Sequence, residues 1–250
     1  MNQARPATPT TADIVTGPSP VGAAAPAFQP DTASMRIHQD LRRRLCEGEF
    51  GPGDVLSIRG VAACYDTSAM PAREAVRWLV SEGALQFVDS RKIIVPYLSR
   101  ERFVEVLFAR RSLESELARQ AFPFIESCHM EALEALDDSI NRAIEAGDLR
   151  RYMRGNHAFH FLIYRLSGSA VLLPLVEQLW QQYGPSMGFI CTRWGGSGIA
   201  DDHHREMTQA LREGDSEAFC QALTADIEQG MQLLDDDAFS QPPPSVGLSG

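Results

Sequence analysis

The chain has 250 residues, of which 44% are hydrophobic, and this content is enough for one large domain or two modest ones. No run of residues approaches the roughly 20 apolar positions that a membrane-spanning helix requires, and no basic segment followed by an apolar one marks a secretory signal. Five scattered cysteines without a C-x-x-C pair argue against a disulfide framework or a zinc–thiolate site. We therefore expect a cytoplasmic protein that has no contact with a membrane.

The formal net charge of −10 is unevenly distributed along the chain. Residues 36–102 contain eleven Lys or Arg against nine Asp or Glu, whereas residues 103–250 contain eleven against twenty-two. A strongly acidic surface repels phosphate, so contact with nucleic acid is expected only in the first part.

The N-terminal part begins with residues 1–35, which are rich in Pro, Ala, Thr and Gly and show no periodicity. This composition predicts a flexible arm. A first helix is predicted over 35–48, where apolar residues recur every four positions. Arg42, Arg43 and Arg44 run across its other side, and this basic cluster suits either contact with a DNA backbone or a solvated face.

The stretch 56–92 contains two helical patterns separated by a short polar break at 65–67. The second helix opens at Ser68, a good N-cap residue type, and has Pro71 in its first turn, where a missing N–H costs little. Its apolar positions 72, 75, 76, 79 and 80 form one stripe. The opposite face carries Met70, Arg73, Glu74 and Arg77. Two helices joined by a tight turn, the second amphipathic and bearing arginines, predict a helix-turn-helix that reads DNA.

Two segments rich in strand-forming residues follow, at 84–88 and 93–95, with a charged tip at 89–92 between them. This pattern predicts a β-hairpin, the wing of a winged helix, which Pro96 closes. A short extended segment at 55–56 precedes the helix-turn-helix. The N-terminal module is therefore predicted to be a winged helix-turn-helix domain over residues 36–98.

From residue 99 onward the pattern is helical almost throughout. Seven helices are predicted, over 101–122, 126–145, 149–166, 170–183, 186–193, 200–213 and 216–234, with breaks at prolines and glycines that include Gly184-Pro185. Short connections between helices indicate an antiparallel bundle, placed at 99–238. The composition of 239–250 predicts a flexible tail. The fold class is therefore mainly α.

Several motifs in register resemble one known family. In the first module the motif is Ser68-x-x-Pro71-x-Arg73-Glu74-Ala75, followed by Glu82-Gly83. In the second module the markers are Arg110 with Glu114, Gly147-Asp148, Phe159-His160, Ser167-Gly168, His204 and Gly214-Asp215. Over about residues 36–235 the chain resembles the GntR family of bacterial transcription regulators, in the FadR-like branch with an all-helical FCD effector domain.

The resemblance implies a homodimer that places the second helix of each helix-turn-helix in the major groove of a palindromic operator, with the wing near the minor groove. The residues implied to contact DNA are Arg59, Ser68, Met70, Pro71, Arg73, Arg77, Arg91 and Lys92. A surface ion pair with Asp66 or Glu74 is the alternative role of Arg73.

Two positions depart from the family pattern. Ala69 stands where an arginine is common, and Lys92 stands where glycine is common at the tip of the wing. The absence of that arginine removes one groove contact and is expected to alter operator specificity. Met70 offers an apolar contact with a thymine methyl group in compensation.

FCD domains typically hold a divalent metal ion with an Asp, a His four residues later and two further His. Matched residue by residue, these positions are occupied here by Asn156, His160, His204 and Asp226. The i, i+4 spacing puts Asn156 and His160 on one helix face. Two oxygen and two nitrogen donors suit Zn²⁺, Ni²⁺ or Mn²⁺, although an amide oxygen is a weaker ligand than a carboxylate. A polar pocket bridged by water or by the effector is the alternative.

The resemblance also implies a small organic-acid effector bound by Arg110, Asn156, His160 and His204. A buried arginine would bind a carboxylate through a bidentate contact. A structural ion pair between Arg110 and Glu114, one turn away, is the alternative. Effector binding would shift the angle between the modules and so the spacing of the two reading helices.

Three functions are compatible with these residues. The first is a ligand-responsive, dimeric DNA-binding regulator, a repressor more than an activator. The second is a metal-dependent enzyme at the pocket of His160 and His204, since a metal ion with an open position activates water. The third is a helical scaffold that has lost DNA binding, in keeping with Ala69 and the low basic charge. The winged helix has no purpose in an enzyme, and no nucleophile paired with a base stands out. We therefore expect a regulator and not an enzyme.

Overall fold

The computed structural model describes residues 32–89, 92–194 and 203–232, and the side chains of residues 33–89, 92–187 and 203–229. The predicted tail and the wing-tip residue Arg91 lie outside the described residues, as does most of the predicted arm. The first helix begins at Thr32, three residues before its predicted start at residue 35.

The N-terminal module consists of three helices and a small sheet. Its elements are α1 (Thr32–Cys46), β1 (Val55–Leu56), α2 (Ile58–Cys64), α3 (Ala69–Ser81), β2 (Gln86–Phe87) and β3 (Ile93–Ile94). The strand order is β1-β3-β2, and both pairs are antiparallel, with Val55 opposite Ile94 and Phe87 opposite Ile93. The predicted winged helix-turn-helix is confirmed, and the segment at 55–56 is a strand of the wing sheet.

The apolar stripe predicted for the second helix of the helix-turn-helix forms the core of this module. Ala72, Ala75, Val76 and Leu79 of α3 have no exposed surface. They belong to one buried cluster with residues of α1 and α2, among them Ile37, Leu41, Leu45, Ile58 and Val61. Burial of this stripe leaves the other side of α3 at the protein surface, where a partner can reach it.

The C-terminal part is a bundle of six helices within the described residues. They are α4 (Arg100–Ala121), α5 (Ser127–Glu145), α6 (Leu149–Leu166), α7 (Leu172–Trp194), α8 (His203–Glu213) and α9 (Ser216–Gln232), with a short 3-10 helix at Phe122–Phe124 after α4. All six contribute to a second core, whose largest members include Trp180, Phe159, Phe161 and Phe219. None of these helices, and none in the described part of the N-terminal module, is long and apolar enough to cross a membrane.

One predicted boundary is wrong. The Gly184-Pro185 pair was expected to separate two helices, but α7 continues through it to Trp194. A proline inside a helix removes one backbone hydrogen bond and crowds the preceding turn, at a cost of about 3 kcal/mol. Gly184 lies close against the end of α1, where a Cβ atom at position 184 would come within 2.5 Å of the Leu45 carbonyl oxygen. Close contact between α7 and α1 thus overrides the local preference.

Candidate functional site

The side of α3 that faces away from the core carries most of the residues predicted to contact DNA. Met70 is 67% exposed, Arg77 is exposed and Arg73 is half-buried. Ser68 occupies the N-cap position with an extended backbone, but its side chain forms no capping hydrogen bond. Its exposed hydroxyl is therefore available to a partner.

Arginines of the N-terminal module fall into two electrostatic groups. The cluster Arg42, Arg43 and Arg44 of α1 is bound to carboxylates, in the pairs Arg42–Glu177, Arg43–Asp40, Arg43–Glu47 and Arg44–Glu49. By contrast, Arg59, Arg73 and Arg77 form no ion pair with any other described residue. Among the described arginines of this module, positive charge without an internal partner therefore lies on α2, on α3 and at Arg36 of α1, and is available for phosphate and base contacts.

The two carboxylates proposed as alternative partners of Arg73 are arranged differently. Glu74 accepts a hydrogen bond of 2.7 Å from the hydroxyl of Ser34, a fully buried residue in the first turn of α1. Asp66 takes up a left-handed backbone conformation, with φ of 47°, in the turn between α2 and α3. Asp tolerates this region better than most residues, so Asp66 serves the tight turn of the helix-turn-helix.

Pro71 is the exception among the predicted DNA contacts. It is buried at the start of α3, so its position supports a structural role and not a contact with DNA. Lys92 is exposed in the connection between β2 and β3, at the tip of the wing, where its backbone N–H donates to the Asp89 carboxylate over 2.8 Å. Its side chain remains free to approach a groove or a backbone phosphate, while Arg91 lies outside the described residues.

A second polar constellation lies inside the helical bundle. His160 of α6 is fully buried and His204 of α8 is 8% exposed, and both face Asp226 of α9. The Nε2 atom of His160 lies 3.0 Å from one carboxylate oxygen of Asp226, and the Nε2 atom of His204 lies 3.5 Å from the other. The two Nε2 atoms are themselves 3.5 Å apart. Three of the four residues predicted as metal ligands therefore lie together.

The spacing of these atoms fits a bound divalent cation. Two ligand atoms held about 2.0–2.2 Å from one ion are roughly 3.0–3.5 Å apart. The three separations in the cluster, 3.0, 3.5 and 3.5 Å, fall in this range. Asn156 is half-buried one helical turn before His160 on α6, and its role as a fourth ligand remains a prediction. Two imidazoles and a carboxylate suit Zn²⁺ or Ni²⁺.

Asp226 supplies the negative charge of the cluster. Burial alone would raise the pKa of this carboxyl group, but attraction to His204 and His160 and the hydrogen bond to His160 outweigh burial and lower it. The group is therefore an anion at neutral pH, which is the state that binds a cation.

Arg110 and Glu114 form a buried ion pair next to this cluster. Arg110 is 3% exposed and Glu114 is fully buried. The Arg110 Nε atom donates to Glu114 Oε1 over 2.7 Å, and the guanidinium carbon lies 4.6 Å from the Trp180 ring and 4.3 Å from the Tyr183 ring. Burial would lower the pKa of Arg110, but attraction to Glu114 outweighs it and raises the pKa. The geometry is that of the ion-pair alternative, and a contact of Arg110 with a carboxylate effector stays a prediction.

Glu114 joins this pair to the histidine cluster. It accepts a hydrogen bond of 2.5 Å from the Tyr164 hydroxyl and one of 3.0 Å from the Trp180 indole N–H. The Tyr164 oxygen also lies 3.0 Å from His160 Nδ1. Sequence reasoning missed Tyr164, although its position four residues after His160 places it on the same face of α6.

Asp137 of α5 is a further residue that sequence reasoning missed. Its Oδ1 atom lies 3.6 Å from His204 Nδ1, on the side of that ring away from Asp226. No motif marks Asp137, because only the packing of α5 against α8 brings it to the site.

Helix α7 connects the bundle to the N-terminal module. Trp180 contacts the buried ion pair, while Gln181, one residue later, donates to the Glu82 carboxylate over 2.8 Å. Gln182 donates to the backbone carbonyl of Glu82 over 2.9 Å. Since Glu82 is the C-cap residue of α3, α7 contacts both the buried ion pair of the bundle and the C-terminal end of α3.

These features define a class of protein. An exposed, arginine-bearing helix on a winged helix-turn-helix is joined by a packed helix to a bundle with an internal polar site, which is the architecture of a DNA-binding protein that responds to a ligand.

Comparison with known proteins identifies the family. The family model "Bacterial regulatory proteins, gntR family" matches residues 33–95, and that of the FCD domain matches residues 105–229. The chain therefore belongs to the gntR family of bacterial regulatory proteins, in the branch with an FCD domain, and the resemblance seen in the sequence is confirmed.

Individual relatives agree with this assignment. The HTH-type transcriptional regulator McbR of Escherichia coli K12 is 25% identical over 203 residues, which are 80% of this chain and 92% of the relative. A probable D-xylose utilization operon transcriptional repressor of Paenarthrobacter nicotinovorans is 26% identical over 77% of this chain and 84% of its own. The solved structure of E. coli McbR/YncC superposes with a TM-score of 0.76 at 24% identity, over 81% of this chain and 97% of that one. The structural likeness confirms the predicted fold.

Proposed function

We propose that this protein is a cytoplasmic, homodimeric transcription repressor that acts without catalysis. It binds a palindromic operator through α3 and the wing, and it responds to a small organic acid bound in the helical bundle. Residues 36–98 form the DNA-binding domain, and residues 99–238 form the domain for effector binding and dimerisation. Repression as the sign of regulation is supported by the P. nicotinovorans relative, which is described as a probable repressor.

The observation that carries this proposal is the separation of the arginines into two groups. Arg42, Arg43 and Arg44 are bound to carboxylates, whereas the arginines of α2 and α3 have no such partner among the described residues. With the arginine cluster at 42–44 neutralised, the arginines of α2 and α3 carry the DNA contact in this proposal. Arginine in a major groove binds guanine through two hydrogen bonds, worth about 1–3 kcal/mol of discrimination. Arg59, Arg73 and Arg77 are the residues placed to supply this reading.

The effector site is the histidine cluster of the bundle. Since Arg110 is occupied by Glu114, a carboxylate effector needs another source of positive charge. A divalent cation held by His160, His204 and Asp226, with Asn156 as the predicted fourth ligand, would supply it. The residues around the cluster then determine how the effector fits. His160 and His204 orient the bound effector, and the apolar side chains of the core exclude water.

The response passes through α7. A movement of Glu114 is passed to Trp180 through the hydrogen bond between them. The neighbouring Gln181 and Gln182 bind Glu82 at the C-terminal end of α3. A ligand shifts the DNA-reading helix only as far as its affinity differs between the two arrangements of the modules. Effector binding therefore weakens the operator complex if the bound bundle prefers a spacing of the two α3 helices that does not match the operator.

Selection of DNA from a random pool by the full chain tests the proposal. We expect enrichment of an inverted repeat with half-sites about one helical turn apart, bound by two chains. Arg111→Ala is a matched control, since Arg111 lies on α4 in an exposed ion pair with Glu228, and it should enrich the same repeat. Arg73→Ala should lose the enrichment. Enrichment of no repeat, or equal enrichment by Arg73→Ala, contradicts the proposal.

A further inference from the structure

Each imidazole of the histidine cluster is contacted on both sides. The Nε2 atoms of His160 and His204 face each other and Asp226. On the opposite side, His160 Nδ1 lies 3.0 Å from the Tyr164 hydroxyl and His204 Nδ1 lies 3.6 Å from Asp137 Oδ1. Neither Tyr164 nor Asp137, the two residues on the Nδ1 side, was predicted as a metal ligand.

The hydrogen bonds behind His160 determine which of its nitrogens carries a proton. The Tyr164 hydroxyl has one hydrogen, and the 2.5 Å contact gives it to Glu114. The Tyr164 oxygen can then only accept from His160, which requires a hydrogen on Nδ1. Nε2 either carries a second hydrogen, donated to Asp226, or in the neutral ring presents its lone pair to a cation. Glu114 is fixed in turn by Arg110 and Trp180.

For His204, the Oδ1 atom of Asp137 is the acceptor that faces Nδ1 and would fix the proton there. Asp137 Oδ1 is buried and has no hydrogen-bond partner among the described residues. A buried acceptor left in this state costs about 1–3 kcal/mol. A hydrogen on Nδ1 of His204, 3.6 Å away, would satisfy this oxygen after a small approach of the two side chains. The lone pair of His204 Nε2 would then point toward Asp226, like that of His160.

We propose that Tyr164, held by Glu114, and Asp137 are positioning residues that make both histidines present their Nε2 lone pairs to one divalent cation. The inference rests on the cation site of the proposed function and names the groups beyond the ligands that set its affinity. Two lone pairs 3.5 Å apart repel each other unless a cation lies between them, so this arrangement favours an ion over an empty pocket. Partners of this kind typically contribute 10–100-fold to metal affinity.

Titration of the metal-free full chain with Zn²⁺, in competition with a chromophoric chelator, tests the assignment. Tyr164→Phe and Asp137→Asn should each bind Zn²⁺ 10–100-fold more weakly than the wild type. Tyr183→Phe removes another buried hydroxyl, one that donates to Met187 Sδ, and Asp138→Asn changes the exposed neighbour of Asp137. Both controls should stay within about twofold of the wild type.

Visible absorption of bound Co²⁺ separates a positioning role from a loss of stability. The two positioning variants should change the d–d bands of the Co²⁺ complex, because the imidazoles turn, and the two controls should leave the bands in place. Wild-type affinity in Tyr164→Phe and Asp137→Asn overturns the inference while leaving the cation site intact. A wild-type protein that binds neither Zn²⁺ nor Co²⁺ overturns the cation site and the inference together.

Discussion

The buried pair of Arg110 and Glu114 offers the sharpest prediction from the structure. Glu114→Gln keeps the size of the side chain and one acceptor oxygen but removes its charge. Arg110, which is 3% exposed, then retains its positive charge without a counter-charge in direct contact. The desolvation cost of the arginine stays, while the attraction that offsets it is lost.

The magnitude follows from burial. Breaking a buried ion pair by removing one partner costs about 3–5 kcal/mol. A domain of this size loses about 2–4 °C in melting temperature per kcal/mol, so Glu114→Gln should melt roughly 6–20 °C below the wild type. The exposed pair of Glu134 and Arg212, with an N–O distance of 2.7 Å, provides the control. Glu134→Gln should change stability by less than about 1 kcal/mol.

Thermal and guanidinium unfolding, followed by circular dichroism, measures both variants. Arg110→Met in the Glu114→Gln background should recover part of the loss, because it removes the unpaired charge. If Glu114→Gln lowers the free energy of unfolding by less than about 1 kcal/mol, the buried charge of Arg110 is not stabilised mainly by Glu114. The guanidinium would then be available to a carboxylate effector, and the ion-pair interpretation would be refuted.

Three further predictions concern the DNA-reading helix, its anchor and the cation site. Arg73→Ala should weaken the operator complex by about 1–3 kcal/mol in fluorescence anisotropy, and unchanged affinity would remove Arg73 from the contact surface. Glu82→Gln should cost about 1–3 kcal/mol at pH 7 in chemical unfolding, since the carboxylate accepts from His38 and Gln181. Burial raises the pKa of Glu82, but these hydrogen bonds outweigh burial and hold the pKa below 4.5. The difference in unfolding free energy between the wild type and Glu82→Gln should therefore shrink as the pH falls below that value. A difference that stays constant with pH would assign the loss of stability to packing. Zn²⁺ at about 100 times its dissociation constant should stabilise the wild type by ~2.7 kcal/mol in thermal unfolding, and equal stabilisation of Asp226→Asn would exclude Asp226 as a ligand.

Local pattern was sufficient for most of the fold. The spacing of Ala72, Ala75, Val76 and Leu79 marked the buried side of α3, and the same residues proved to be fully buried. The boundary at Gly184-Pro185 could not be predicted, because the contact that keeps α7 continuous lies on α1, far away in the sequence. Helix propensity describes a residue and its neighbours along the chain, and tertiary packing outweighs it here.

The candidate sites, like the fold, could be predicted where a sequence motif marks a residue and not where tertiary packing alone brings it in. His160, His204 and Asp226 were identified by their match to a family pattern, and the structure brings them together from three helices. Tyr164 was within reach of the i, i+4 rule, but Asp137 was not, since it comes from a fourth helix without a motif. The choice between an ion pair and an effector contact for Arg110 depended on burial and on the distance to Glu114, which a sequence does not contain.

Affinity for the DNA upstream of the protein's own coding region, compared with a random duplex of equal length at moderate salt, tests the central claim most directly. A DNA-reading α3 predicts binding at least 10³-fold tighter to a site in the upstream DNA than to random DNA. It also predicts that Arg73→Ala reduces this preference about 5–150-fold, while Arg111→Ala keeps it. Equal affinity of the folded wild-type chain for both duplexes would contradict the assignment of α3 as a sequence-reading helix.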